Sequence, residues 1–480
     1  MAVLSGIEPK EVFRYFEEIC GIPHGSGNTK PISDYCVRFA DEHGLRYIQD
    51  DSNNVIIFKD GTPGYEQSAP VMIQGHLDMV CEKEPDCTID FEKDGLSLRL
   101  DGGIISADGT TLGGDDGIAV AMGLALLASS DIPHPPLEVV LTVDEEIGML
   151  GADALDCSPL KSRLMLNLDS EDEGILLVSC AGGVSATCHL PVSRKETSGT
   201  KITLKVGGLT GGHSGVEIDK GRANANQLMG RLLNELSKTV DYALISVSGG
   251  LKDNAIPRES SAEIVTADIA AVQAVADKFG SIFAAEFRGT DPELYIEAAG
   301  GENGQYMALD TSSKQRVIAA LVNLPGGIQR MSNDIAGLVQ TSLNMGILKT
   351  VDDEVIMSYA VRSSVGTEKE ELVSRITNLM DILGGTVDLM GDYPAWEYKS
   401  DSVLRNVMTE VFEEQYGHKP EVAAIHAGLE CGLFAGKLPG LDCVSCGPDM
   451  KDIHTPKECM DVASVQRTWK YVLGVLKRLK

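Results

Sequence analysis

His76 and Asp78 stand two residues apart in the stretch GHLDMV, residues 75–80. In an extended segment both project to one side, where a carboxylate can hold one imidazole nitrogen while the other meets a metal. Gly113-Gly114-Asp115-Asp116-Gly117 sets two adjacent carboxylates where a helix begins, at backbone N–H groups that favour negative charge. Asp144-Glu145-Glu146 and Asn167-Leu168-Asp169-Ser170-Glu171 each follow an apolar run, and His454 lies in Asp452-Ile453-His454-Thr455-Pro456. Taken singly, each of these carboxylates reads as a loop or cap residue. Gathered on one cleft they would repel one another by several kcal/mol in a low dielectric, and two divalent cations compensate that charge directly. A dinuclear metal site is the economical reading. Nitrogen and oxygen ligands without cysteine suit zinc, with manganese or cobalt also accommodated.

For these groups to meet, the elements that carry them must end on one edge. Residues 71–74, 137–143 and 164–168 read as buried strands, and residues 115–129 have the length and Ala/Leu content of a buried helix, an α/β pattern. Open α/β sheets bind ligands beyond the carboxyl ends of their strands, where each polar group here falls. After Cys180 the texture changes to alternating stretches such as KITLKV (201–206), a helix over about 223–236 and a strand near 243–248. A comparable series runs from Arg316 through residues 354–362, followed by helical texture over about 369–383. Gly391-Asp392-Tyr393-Pro394 marks a boundary, after which α/β texture returns with a strand near 442–445. The expected organisation is a discontinuous first domain, 1–182 and 393–480, interrupted by 183–392 with two tandem α+β units.

The whole chain agrees with this picture. Its 480 residues exceed what one core usually organises, so two domains are expected. Seventy-one acidic against 41 basic residues, a formal charge of -30, argue against nucleic acid and anionic lipid as partners. Apolar runs fall short of the roughly 18 residues a membrane span needs. Glu8, Lys10 and Glu11 come too early for a secretory signal, and eleven scattered cysteines read as reduced thiols, so a cytoplasmic location is expected. Cys443-Val444-Ser445-Cys446 has redox spacing, but the following Gly447-Pro448 makes a turn and favours structural thiols. His24, His43, His134, His189 and His418 join no carboxylate constellation, and His426 is undecided.

GHLDMVCEK (75–83), TLGGDDGIAVA (111–121), TVDEEIGMLGA (142–152), NLDSEDEG (167–174), GGHSGVEI (211–218), NAIPRE (254–259), HAGLECG (426–432) and IHTP (453–456) together resemble the M20 metallopeptidases, in their aminoacyl-histidine dipeptidase branch. The resemblance spans essentially the whole chain; Asp116 departs from it, since that branch more often has Asn there. It implies an α/β zinc-peptidase-like catalytic domain, with a mixed central sheet flanked by helices, and an inserted α+β lid. It makes Asp115 the bridge between two zinc ions per chain, with His76 and Asp169 completing one and Glu146 and His454 the other. Asp78 would orient His76, Glu145 would be the general base, and the peptide after Asp115 would be cis.

The implied reaction is hydrolysis of short peptides, above all Xaa-His dipeptides such as β-alanyl-histidine, by a metal-bridging hydroxide. His213 would then donate to the oxyanion, and the Arg362 fork suits a C-terminal carboxylate, with Asn254 and the backbone at Gly428 beside it. Glu430 faces either a substrate ammonium group or solvent. A tripeptidase, an N-acyl amino acid deacylase and a catalytically silent peptide-binding relative are the alternatives; Glu145 beside Glu146 favours catalysis, since binding alone has no use for it. Two lid units on one chain would make a homodimer optional.

Overall fold

The computed structural model describes residues 3–480. The chain divides into two compact units, one made of the chain up to Cys180 with Tyr398–Ala424 and Leu429–Lys480, the other of Ala181–Glu397 with Ile425–Gly428.

Among the described residues the first unit holds an eight-stranded mixed sheet. Its centre is β1 (Val71–His76), flanked by β2 (Leu137–Thr142) and β3 (Leu164–Asn167), both parallel to it. A further strand, Asp442–Ser445, runs parallel to β3, whereas Val55–Lys59 joins β2 antiparallel. Every residue of β1 and β2 is buried, which is why they read as unbroken apolar runs rather than alternating ones. His76 is the last residue of β1 and not the first of a loop, so its side chain is set by the sheet.

Register brings the carboxyl ends together. His76 pairs with Thr142, and Gln74 with Asn167, so the residues that follow β1, β2 and β3 emerge on one edge. The helix α1 (Gly114–Ala128) follows an irregular first turn in which Asp115 (φ -82°, ψ 104°) and Asp116 (φ -118°, ψ 29°) are not helical and the peptide joining them is cis. Its Ile118, Val120, Leu124 and Leu126 are wholly buried, each contributing about 1.5–3 kcal/mol relative to exposure. His454 does not follow Asp442–Ser445 directly. A separate four-stranded sheet, ordered Met450–Lys451, Cys459–Asp461, Ile104–Ala107 and Leu98–Asp101, presents it in the connection between the first two strands. Positive φ at Asp452 (53°) and His454 (60°) turns that connection tightly.

The second unit contains, among the described residues, a nine-stranded sheet with helices Ala225–Thr239, Ile269–Glu286, Thr311–Asn323 and Gly366–Leu383. Within the sheet, its two halves are joined where Tyr242–Gly249 pairs with Val339–Val351, at Ser248 with Lys349 and Gly249 with Leu348. They interleave in the chain, because Gly182–Pro191 precedes the first half yet pairs with Glu354–Ser363 and Thr386–Tyr393 in the second. No helix among the described residues is long and apolar enough to cross a membrane.

Candidate metal centre

Asp115 lies between two imidazoles. Its Oδ1 is 3.0 Å from His76 Nε2 and its Oδ2 is 3.1 Å from His454 Nε2. His76 Nε2 also lies 3.6 Å from Asp169 Oδ1, and His454 Nε2 lies 2.9 Å from Glu146 Oε1. Among the five side chains expected to bind metal, His76 thus faces Asp115 and Asp169, and His454 faces Asp115 and Glu146; Glu145 also comes within ligating range of His76 and Glu146. Asp116, by contrast, accepts the His76 backbone N–H at 3.1 Å while its other oxygen is buried without a partner. It also comes within metal-ligating range of His76 and Asp169.

The chemistry of these donors asks for cations. The Nδ1–H of His76 donates to the carbonyl oxygen of Asp78 at 2.9 Å, which turns Nε2 to the oxygens of Asp115 and Asp169; burial opposes a charge there, yet those two carboxylates raise the imidazole well above its ordinary value. The facing oxygens need a positive charge between them, a proton on Nε2 or a metal. Burial pushes Glu145 up to about 8, opposed by His76 and reinforced by Asp169, Glu146 and Asp115. Burial likewise raises Asp169 to about 7, with His76 opposing and Asp115 and Glu430 adding repulsion. Asp115 goes the other way, since its bonds to His454 and His76 outweigh burial and hold it well below the usual carboxylate range. Bonds to Asp115 and Glu146 lift His454 to about 10, with burial opposing. Two divalent cations fit such a set, because they satisfy the lone pairs and the charge together.

The role expected of Asp78 is divided. Its carboxylate is 3.6 Å from His76 Nδ1, so the imidazole is held mainly through the Asp78 main chain. The carboxylate instead accepts the backbone N–H groups of Glu145 at 3.0 Å and Glu146 at 3.4 Å, and the Ser26 hydroxyl at 2.8 Å. Asp78 therefore holds the histidine through its main chain and the two glutamates through its carboxylate.

Beneath the site runs a buried polar network. Glu430 opens the helix α2 (Glu430–Lys437) and is fully buried, neither solvated nor free to meet a substrate ammonium group. Its Oε2 accepts from Gln74 Nε2 at 2.6 Å and Thr142 Oγ1 at 2.7 Å, and Gln74 Oε1 accepts from Asn167 Nδ2. Burial, then repulsion from Glu145, pushes Glu430 up to about 8. Gln74 is two residues before His76, Thr142 three before Glu145, and Asn167 two before Asp169. One carboxyl group thus ties the ends of β1 and β2 directly and that of β3 through Gln74. Sequence reading missed Ser26, Gln74, Thr142 and Asn167, and only the place of the last three at strand ends, two or three residues before His76, Glu145 and Asp169, could have flagged them.

His213, Asn254, Arg362 and Gly428 all belong to the second unit. His213 pairs with Ala255 in a two-residue ladder, and the Asn254 carbonyl accepts from Ser214 N at 2.9 Å. Arg362 Nη1 donates to Tyr393 Oη at 2.9 Å, while its Nε is buried without a hydrogen-bond partner. Asn254, Arg362 and Tyr393 line a cavity of about 170 Å³. His426, left open by the sequence, shares a 2.7 Å hydrogen bond with Ser342 Oγ. Burial, with Arg362 and His213 nearby, holds it down to about 4. Gly428 ends the Ile425–Gly428 segment, whose Ile425 and Ala427 carbonyls accept from Ala181 N. Cys443 and Cys446 are buried free thiols.

Comparison with known proteins bears on this geometry. The model of peptidase family M20/M25/M40 matches residues 72–478. A cytosol non-specific dipeptidase from Escherichia coli (strain K12) is 36% identical over 485 residues, covering 100% of this chain and 99% of that protein. The crystal structure of an aminoacylhistidine dipeptidase from Vibrio alginolyticus superposes with a TM-score of 0.94 at 35% identity, covering 99% of this chain and 98% of that one. An aminopeptidase PepT from Bacillus cereus shares the fold, with a TM-score of 0.57 at 16% identity over 98% of this chain and 99% of the other.

Proposed function

This chain belongs to peptidase family M20/M25/M40, and from that premise we propose that it is a cytoplasmic dipeptidase using two divalent cations, zinc by its donor set, with manganese or cobalt as substitutes. Its substrates are short peptides with free termini, Xaa-His dipeptides among them. The observation that supports this most is the carboxylate of Asp115 offering one oxygen to each of two histidine-carboxylate sets, with Glu145 next to the ligand Glu146.

His76, Asp169 and Asp115 would hold one cation, and Glu146, His454 and Asp115 the other. When bound, the pair supplies a water acidified towards neutrality and a polarised scissile carbonyl. Glu145 takes the proton of the attacking water and returns it to the leaving amine. Asp78 fixes that base by holding its backbone N–H. His213 donates to the developing oxyanion. Arg362, with Asn254 and the backbone at Gly428, receives the substrate carboxylate through parallel N–H bonds, which an N-terminal fragment lacking that group could not use. Both halves of the lid are present on one chain, so homodimerisation is optional to this scheme.

The test is a substrate panel run on chelator-stripped protein reloaded separately with zinc, manganese and cobalt. Expected are two metal equivalents per chain and turnover of Xaa-His and Xaa-Gly dipeptides only in the loaded forms. Faster cleavage of tripeptides or N-acetyl amino acids would reassign the substrate class. No turnover of any dipeptide by the zinc-loaded protein would leave a silent homologue.

A further inference from the structure

The stretch Leu112-Gly113-Gly114 before the bridging aspartate does more than start a helix. Its backbone N–H groups all point at the carboxylate of Glu458, which is only 3% exposed and belongs to a segment more than 340 residues away. Oε2 accepts from Leu112 N at 2.8 Å and Gly113 N at 3.2 Å; Oε1 accepts from Gly114 N at 2.8 Å, with Asp115 N at 3.5 Å. Gly113 takes φ +65°, the left-handed conformation that turns successive N–H groups into one anion-binding concavity. A Cβ on Gly114 would sit 3.3 Å from Glu458 Oε1 and 3.0 Å from Met450 Sδ, so the glycine leaves room for the carboxylate.

The other end of this contact matters as much. Glu458 lies four residues after His454 in the same connection, where its own N–H donates to the Thr455 carbonyl at 3.0 Å. One internal carboxylate therefore fastens the segment that presents His454 to the turn that presents Asp115. Those two side chains approach within 3.1 Å across one donor set.

We propose that Glu458 is a positioning residue for the metal centre, acting through the Leu112–Asp115 backbone to hold the shared carboxylate in register with His454. The inference rests on the dimetal reading above. A mere helix cap would stabilise metal-free and metal-loaded protein alike, whereas a positioning residue makes metal binding itself weaker when lost.

The experiment compares full-length wild type, Glu458→Gln and Gly114→Ala, each stripped and then titrated with zinc against a competing chelator, with thermal melting of both forms. Expected for Glu458→Gln is a metal affinity lower by about 10- to 100-fold. The gap between its metal-free and metal-loaded melting temperatures should also shrink. Gly114→Ala retains the carboxylate but displaces it, and should shift affinity in the same direction, which keeps the test decisive if Glu458→Gln does not fold. Wild-type affinity and an unchanged melting gap in whichever variant folds would overturn the proposal while leaving the metal centre intact. Failure of the wild type itself to take up metal would instead remove the dimetal reading on which the proposal stands.

Discussion

Glu145 and Glu146 are neighbours to which the proposed function gives different roles. Glu146 Oε1 touches His454 Nε2, whereas Glu145 is placed by the Asp78 carboxylate through its backbone. Glu145→Gln keeps the shape of the side chain and removes its basicity. The expected outcome is retention of both metals, measured by elemental analysis, with turnover reduced by about 10²-fold or more; a near-normal rate would refute the base assignment. His426 makes a separate prediction. Its unfolded value is near 6.5 and burial holds the folded value down to about 4. As pH falls through that window the unfolded chain takes up a proton the folded one resists, so stability is fully present above the upper value and lost towards the lower. The melting temperature of His426→Gln should therefore fall less between pH 6.5 and 4 than that of the wild type.

At the level of elements, the sheet register brings three strand ends to the candidate site and a polar network ties them together. Glu430 receives hydrogen bonds from β1 and β2 and, through Gln74, from Asn167 on β3. Truncation in Glu430→Ala strands two buried donors, each worth about 1–3 kcal/mol when left unpaired. Denaturant unfolding of the metal-free protein should therefore show a loss of at least about 2 kcal/mol. Glu430→Gln can keep its amide oxygen on both donors and should cost clearly less. Equal losses in the two variants would mean that this pair of hydrogen bonds does not carry the stability. The strands themselves were legible as apolar runs, because burial on both faces removes alternation. The short sheet that carries His454 was not, since two- to four-residue strands have no periodicity to read.

Across the whole molecule the two tryptophans fall one to each unit, Trp469 in the first and Trp396 in the second, and both are buried. On the proposed function, chelation would remove the positive charge that compensates the crowded carboxylates of the first unit. The fluorescence midpoint of Trp396→Phe, which keeps Trp469, should accordingly drop on chelation and recover with zinc. That of Trp469→Phe should move less. Equal shifts would show that metal loss is felt as strongly by the second unit.

Sequence alone determined the candidate donor residues, the three long apolar strands beside them and the family they resemble, since residue type and apolar runs are local properties. Tertiary structure decided that Asp115 faces both histidines, that the Asp78 carboxylate also holds the backbone of Glu145 and Glu146, and that Glu430 and Glu458 are buried acceptors. Those partners lie as far as 356 residues apart, as Gln74 and Glu430 do. A hydrogen bond is decided by angstroms in space, and packing alone brings such distant atoms within that reach.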